Sequence, residues 1–342
     1  MAELYNSRES DAANDLLQTT ATEQESMTTM TSANVSNLTV PPDNGIKPPI
    51  YIAITVLGVI LNTIVLFYIL CRRTWKHFVS SHFIAHLMFT NLLSLCLLLP
   101  VFIHDAKTGT NFWRNSNFMC RFQAFITCAI WSVTNYMVTC VAGVHLLTFA
   151  RIHYDQLFGL RPSVICLITL VVGSSIGLPC LTNGDIVVHD HHFHYCVWGV
   201  TLSGYKFLTY ISLLGVALPA MLTWYAYVRV LGILFHSPVV FEALGLYKSR
   251  WLVYWFMLSP WYQVPFFVIR LYSGFRYGLQ PNPPSDWYEI SLFLAYTQCF
   301  ISPVLYGASM FIMKEEDMNI QARNAHKSGH AYHAPSILPH QL

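Results

Sequence analysis

Charge is what this sequence has least of. Asp, Glu, Lys and Arg make up 11% of its 342 residues, against roughly a quarter in ordinary soluble domains. Hydrophobic residues make up 54%. So little charge cannot cover a water-exposed surface, and this excludes the two or three soluble domains that length alone suggests. The few charges are also segregated, collecting in short clusters between long uncharged runs. No carboxylate lies within any of those runs, so the usual intramembrane signs of proton relays, ion paths and amine counter-ions are missing. HExxH, GxSxG and phosphate-loop motifs are absent as well, and no enzyme, cofactor or nucleic-acid partner is expected. A cationic start followed by an apolar core is missing from the N-terminus, so no cleaved signal peptide is expected and the first run must act as the targeting signal. The last segment has no cysteine, which excludes palmitoylation there.

Seven uncharged runs can be read off: Pro48–Cys71, His77–His104, Phe122–Ala150, Pro162–Gly184, Phe207–Val228, Trp251–Ile269 and Ile290–Met313. A helix needs about 20 apolar residues to cross a bilayer core. Lipid offers a backbone no hydrogen bonds, so a span is a helix or a closed barrel. These runs lack the alternation of barrel strands. The fold class expected is therefore all-α, a seven-transmembrane helix bundle over 48–313. Arg72, Arg73 and Lys76 crowd the first connection, Arg151 and Arg161 flank the third, and Lys248 and Arg250 precede the sixth run. Basic connections stay in the cytoplasm, which puts the N-terminus outside and makes a multi-pass plasma-membrane protein the expectation.

Residues 1–47 are rich in Thr, Ser, Asn and acids and read as a disordered extracellular segment. Asn34-Val35-Ser36 and Asn37-Leu38-Thr39 are glycosylation sequons on that side. Residues 314–342 read as a short amphipathic helix start followed by a polar cytoplasmic tail. Of nine cysteines, seven lie in or beside the runs and read as packing residues. Cys120 and Cys196 differ, because both lie on the expected outer side, in an oxidising compartment.

Several short patterns then fall in a known order. Gly58-Val59-Ile60-Leu61-Asn62 resembles a GxxxN motif, and Leu87 to Leu92 resembles LAxxDL with Asn91 in place of the aspartate. Trp113 precedes Cys120 by seven residues. Pro219 and Tyr227 stand eight apart, and Ser302-Pro303-Val304-Leu305-Tyr306 resembles NPxxY. Phe311 resembles the start of an eighth helix. From Pro48 to about Asp317 the chain is similar to rhodopsin-like (class A) G-protein-coupled receptors. That resemblance implies a Cys120–Cys196 disulfide, an extracellular ligand in the bundle and a cytoplasmic transducer such as a heterotrimeric G protein. It also implies switch positions at Asn62, Asn91, His145, Pro219, Tyr227, Pro265, Ser302, Pro303 and Tyr306.

The departures from the pattern matter as much. The family's acid-Arg-Tyr triplet lies about 25 residues after the disulfide cysteine, and here that count lands on Val144-His145-Leu146. Histidine, with a reference pKa of about 6.5, is mostly neutral at pH 7. His145 is either the replacement for the arginine or a packing residue at a helix end. The sixth run reads Ser259-Pro260-Trp261-Tyr262-Gln263-Val264-Pro265, and either proline can be the family's. Pro265 leaves the basic residues at the cytoplasmic edge and puts Gln263 at the switch position. Asn91, Asn62 and Ser302 are expected to form a neutral hydrogen-bonded cluster.

Thr127 replaces the aspartate of amine receptors, so a non-amine ligand is expected, whether anionic, lipid or peptide. Candidate ligand contacts are Thr127, Trp131, Trp261, Tyr262, Gln263, Phe266, Arg270, Glu289 and Tyr296, an aromatic set with a few polar groups. Arg270 either clamps a ligand anion, snorkels to headgroups or pairs with Glu289. The His189–His194 cluster either holds zinc or is solvated loop, and no metal site is assigned. A non-signalling decoy or heteromer subunit shares the fold. A transporter or channel is the remote alternative.

Overall fold

The computed structural model describes residues 47–74, 78–108, 117–150, 152, 154, 159–190, 195–198, 201–236, 250–277, 287 and 290–310. Asn34, Asn37, Trp113, Glu289, Phe311 and the 314–342 tail lie outside the described residues. Among the described residues, seven helices are long and apolar enough to cross a membrane. They are α1 (Pro49–Cys71), α2 (Val79–His104), α3 (Asn117–Ala150), α4 (Pro162–Thr182), α5 (Leu202–His236), α6 (Trp251–Phe275) and α7 (Ile290–Met310). The chain is thus a multi-pass membrane protein with seven helices, as its runs of missing charge require. Phe67, Val171, Met221 and Tyr225 lie exposed on the outer surface, where only lipid offers an apolar neighbour.

Three helices extend past the uncharged runs that announce them. α3 begins at Asn117, not Phe122, and α5 spans Leu202–His236, not Phe207–Val228. α6 continues to Phe275. Charged residues ended the runs, yet the helices absorb them. Arg121 donates to the carbonyls of Asn117 and Leu181 at 3.4 and 3.3 Å, and Lys206 and Arg229 lie on exposed faces. Thr201 caps α5 by accepting from the Gly204 N–H at 2.9 Å, and Pro162 starts α4, where its missing N–H costs nothing.

The helix α3 is the hub, packed on α2, α4 and α5. In its most apolar stretch 67% of residues are buried, against 22% for α1, so α3 is central and α1 peripheral. Among the described residues, two short strands are the one departure from an all-α chain. β1 (Val187–Asp190) pairs antiparallel with β2 (Tyr195–Trp198), with His189 opposite Cys196. A Cys120–Cys196 disulfide ties β2 to the start of α3, with Cα atoms 5.5 Å apart. This is the pairing the resemblance implies.

Proline shapes three of the spans. In α2 a π turn, Ser94–Leu98, ends two residues before Pro100. In α5 a π turn, Ser212–Ala217, ends two residues before Pro219. In α6 a 3₁₀ turn, Ser259–Tyr262, starts at Pro260's neighbour and ends just short of Pro265. Each departure frees backbone carbonyls that lipid cannot satisfy.

Gly173 lets α4 meet α3 backbone to side chain. A Cβ there would stand 2.5 Å from Val133 Cγ2 and 2.8 Å from the Val133 nitrogen. Gly143 has nothing within 4 Å of its own Cβ position. Gly173→Ala should therefore destabilise the bundle by about 1–3 kcal/mol, and Gly143→Ala should be neutral or stabilising by up to about 1 kcal/mol. Thermal unfolding in detergent measures both signs.

Candidate functional site

Three clusters of polar and aromatic side chains lie along α3. Cys120 and His145 are 25 positions apart, about 37 Å at 1.5 Å per residue. The clusters sit at the disulfide end, in the middle and at the His145 end.

At the disulfide end the hairpin is strapped onto four helices. The disulfide holds it to α3. The Trp198 indole N–H donates to Cys180 Sγ on α4 at 3.3 Å. The Trp198 ring lies parallel to Phe267 of α6 at 6.3 Å and tilted against Phe207 of α5. Arg270, only 4% exposed, donates to the Trp198 carbonyl at 2.8 Å. This corrects the headgroup reading of Arg270, because a buried guanidinium bonded to the hairpin does not snorkel. Lys206, by contrast, is exposed.

Just below, Trp131 stands edge-on to Phe266, Phe267 and Tyr296 at 5.3, 5.9 and 6.1 Å. All four are buried. Thr127 is buried too, its hydroxyl bonded to the Gln123 carbonyl at 2.9 Å. Trp261 departs from this set and is 41% exposed on the bundle's outer surface. The inward stripe of α6 runs through Gln263, Phe266, Phe267, Arg270 and Ser273, and at 100° per residue Trp261 lies about 200° from Gln263. Tyr262 is half-buried.

The middle cluster is a chain of amides. Asn135 Nδ2 donates to the Gly215 carbonyl at 3.1 Å and to Gln263 Oε1 at 2.9 Å. Gln263 Nε2 donates to Gln298 Oε1 at 2.9 Å. The reason lies in α5. Leu218 reaches back five residues to Leu213, Pro219 has no N–H, and from Ala220 the α-helical pattern serves Val216 onward. The carbonyls of Leu214 and Gly215 are left over. Two successive α3 side chains fill them, with Tyr136 OH donating to Leu214 at 2.9 Å and Asn135 serving Gly215. Thr139 adds bonds to the Pro219 carbonyl and the Thr223 hydroxyl, both at 3.0 Å. Because a carbonyl only accepts, Gly215 fixes which way the Asn135 amide faces, and so the direction of the whole relay from α3 through α6 to α7.

A second amide pair follows the same rule. Asn62 Nδ2 donates to the carbonyls of Gly58 and Cys299 at 2.7 and 2.8 Å, and Asn62 Oδ1 accepts from Asn91 Nδ2 at 3.2 Å. The expected neutral cluster joining α1, α2 and α7 therefore exists, with one correction. Its α7 member is the Cys299 backbone, not Ser302. The Ser302 hydroxyl turns back on its own helix and donates to the Gln298 carbonyl at 2.7 Å, the usual alternative for a helical serine. Both relays end on adjacent residues of α7, and neither carries a charge.

At the far end of α3, His145 is 2% exposed, and its Nδ1 lies 3.2 Å from Tyr227 OH on α5. Phe256 of α6 is sandwiched between two tyrosine rings, Tyr227 at 5.4 Å and Tyr306 at 5.2 Å, nearly parallel to both. The His145 ring lies 5.4 Å from Phe256. Tyr306 OH pairs with Ser259 Oγ at 3.2 Å. Pro219, Pro260 and Pro303 are buried and Pro265 is half-buried.

Sequence reasoning did not single out Asn135, Trp198, Phe256 or Ser259. Asn135 carried a readable signal, an amide in the middle of an uncharged run, where polar groups seek each other. Trp198 and Phe256 carried none, since aromatics are common in such chains.

The proline creates the demand that Asn135 meets, and a double-mutant cycle tests this. Asn135→Leu should cost about 1 kcal/mol in the native background. It should cost measurably less beside Pro219→Ala, which restores an N–H to the carbonyls of α5. Additive costs by denaturation in detergent would contradict it.

No family model matches this chain, and no curated protein matches it.

Proposed function

We propose that this chain is a ligand-responsive seven-helix receptor of the plasma membrane. Its disulfide end faces outward, and it relays ligand binding to a cytoplasmic transducer through α6. The observation that carries the reading is the Phe256 clasp. One α6 ring separates Tyr227 from Tyr306, and α6 is bonded to α7 through Ser259. Outward movement of α6 withdraws the ring and lets the two tyrosines meet. Such a movement opens a cleft between α3, α5, α6 and α7, the place where a G-protein helix enters in the family this chain resembles.

Supporting features lie at each level. The strapped hairpin ties three helices of the outer end to α6 through Trp198 and Arg270. The amide relay ties α6 to α3 and α7 at mid-depth. A ligand displacing the hairpin or the Trp131 cluster thereby has a mechanical path to the clasp. The seven spans hold no carboxylate, which speaks against ion coupling and against an amine ligand.

Coupling is atypical on this reading. The inner end offers a buried imidazole where the family offers a guanidinium with five donors. The same observation favours a second reading, a non-signalling decoy or heteromer subunit, whose inner end is a closed plug. Recruitment of a purified heterotrimeric G protein in nanodiscs separates the two. The receptor reading expects weak recruitment by the natural chain and a gain of roughly tenfold for His145→Arg, the worth of about one charge-assisted hydrogen bond. Full recruitment that is unchanged by the substitution would sink the atypical-coupling idea. No recruitment by either form would favour the decoy.

A further inference from the structure

Gln123 lies one turn below the disulfide cysteine of α3 and one turn above Thr127. The residue is only 3% exposed, and neither Nε2 nor Oε1 has a hydrogen-bond partner. The other buried amides behave differently. Asn62 is bonded at both its nitrogen and its oxygen, and so is Gln263. Asn91, Asn135 and Gln298 are each bonded at one of the two. Gln123 alone among these amides is bonded at neither. A buried donor or acceptor left unpaired is costly, and here one side chain leaves both.

A group that completes it must both donate and accept, as a carboxamide, a hydroxyl or a water does. A carboxylate offers only acceptors and leaves Oε1 unpaired. An ammonium offers only donors and leaves Nε2 unpaired. A primary carboxamide or a lactam offers one N–H and one C=O on a single edge, the two-point complement of the glutamine's own edge that a hydroxyl's single oxygen does not match. Arg270, the candidate anchor for an anionic ligand, already donates to the hairpin carbonyl of Trp198. The seven spans hold no carboxylate for a cation.

We infer that Gln123 is the recognition residue for a neutral carboxamide-bearing ligand, with the ligand's amide edge paired to both ends of the Gln123 side chain. The inference rests on the reading that the disulfide end receives a ligand. It narrows that ligand from anionic, lipid or peptide to a neutral molecule with a primary carboxamide, a lactam or the paired N–H and C=O of one peptide residue. It also adds a contact that the aromatic set around Trp131 does not supply.

Two measurements on the full chain in nanodiscs test it, neither requiring a signalling partner. The first is the thermal stability of the unliganded protein. Gln123→Met keeps the shape and removes both unpaired groups, so it should raise the unfolding temperature, and Gln123→Leu should act in the same direction. A fall in both variants, or failure of both to fold, would show that the amide is already satisfied within the protein and would overturn the inference. The second uses three near-isosteric probes: benzamide, acetophenone and α-methylstyrene. Benzamide presents donor and acceptor, acetophenone an acceptor only and α-methylstyrene neither. In the natural chain benzamide should bind about tenfold more tightly than α-methylstyrene, with acetophenone between. In Gln123→Met that preference should vanish. Equal binding of the three to the natural chain, with water left as the amide's partner, would overturn the inference. A benzamide preference that survives Gln123→Met would do so too. Because the readouts are stability and binding, a chain that prefers benzamide yet recruits no transducer would refute the receptor reading alone. A signalling chain indifferent to the three probes would refute the Gln123 inference alone.

Discussion

The carbonyl of Gly215 lacks its α-helical donor, accepts from the Asn135 side chain instead, and much of the interior is arranged around that fact. Pro219 removes the N–H that an α-helix would supply, and the π turn before it adds a second unserved carbonyl at Leu214. In water such groups would be solvated. Between lipid-facing helices they must be served by a neighbour. The neighbour is α3, which presents Asn135 and Tyr136 in succession. Gly215 has no Cβ, and one built there would stand 2.7 Å from Ser132 Oγ, so the glycine also permits the close approach that the bonds need.

Direction follows from the same constraint. An amide can face either way, but a carbonyl can only accept. Gly215 orients Asn135, Asn135 orients Gln263 and Gln263 orients Gln298. On the other side of α7 the Cys299 and Gly58 carbonyls orient Asn62, which orients Asn91. Backbone geometry in α1, α5 and α7 thereby sets side-chain polarity in α2, α3 and α6 without a single formal charge. Neutral hydrogen bonds between membrane helices are individually weak, averaging about 0.6 kcal/mol. A bundle held this way can rearrange, whereas buried ion pairs would resist separation. The Phe256 clasp at the far end has the same character, with stacked rings and single hydroxyl contacts.

Much of this was legible before any coordinates. Seven uncharged runs gave seven spans, because the desolvation of charge inside lipid is severe enough to leave a pattern in composition alone. Cys120 and Cys196 were separable from seven packing cysteines by position. Asn62, Asn91, Gln263 and Tyr306 stood out through the resemblance to receptor motifs. Errors arose where one-dimensional spacing had to stand in for helix rotation. Trp261 was grouped with Gln263 by nearness in sequence and faces outward. Ser302 was given a partner across the bundle and bonds its own helix. Three readings of Arg270 stood open, and burial under the hairpin removes the headgroup one.

The sequence by itself determined the number of spans, their order and the absence of carboxylates inside them, since each is a property of composition along one dimension. It also determined that one carbonyl of α5 would lose its α-helical donor, because Pro219 has no N–H in any conformation. Only the tertiary structure decided which donor came. That choice depends on the rotation and depth of α3 against α5, and these follow from how whole faces pack. The same holds for His145. Its identity as an uncharged ring was written in the sequence. Its place against Tyr227 and Phe256, buried at the end of the bundle far from the disulfide, was decided by packing.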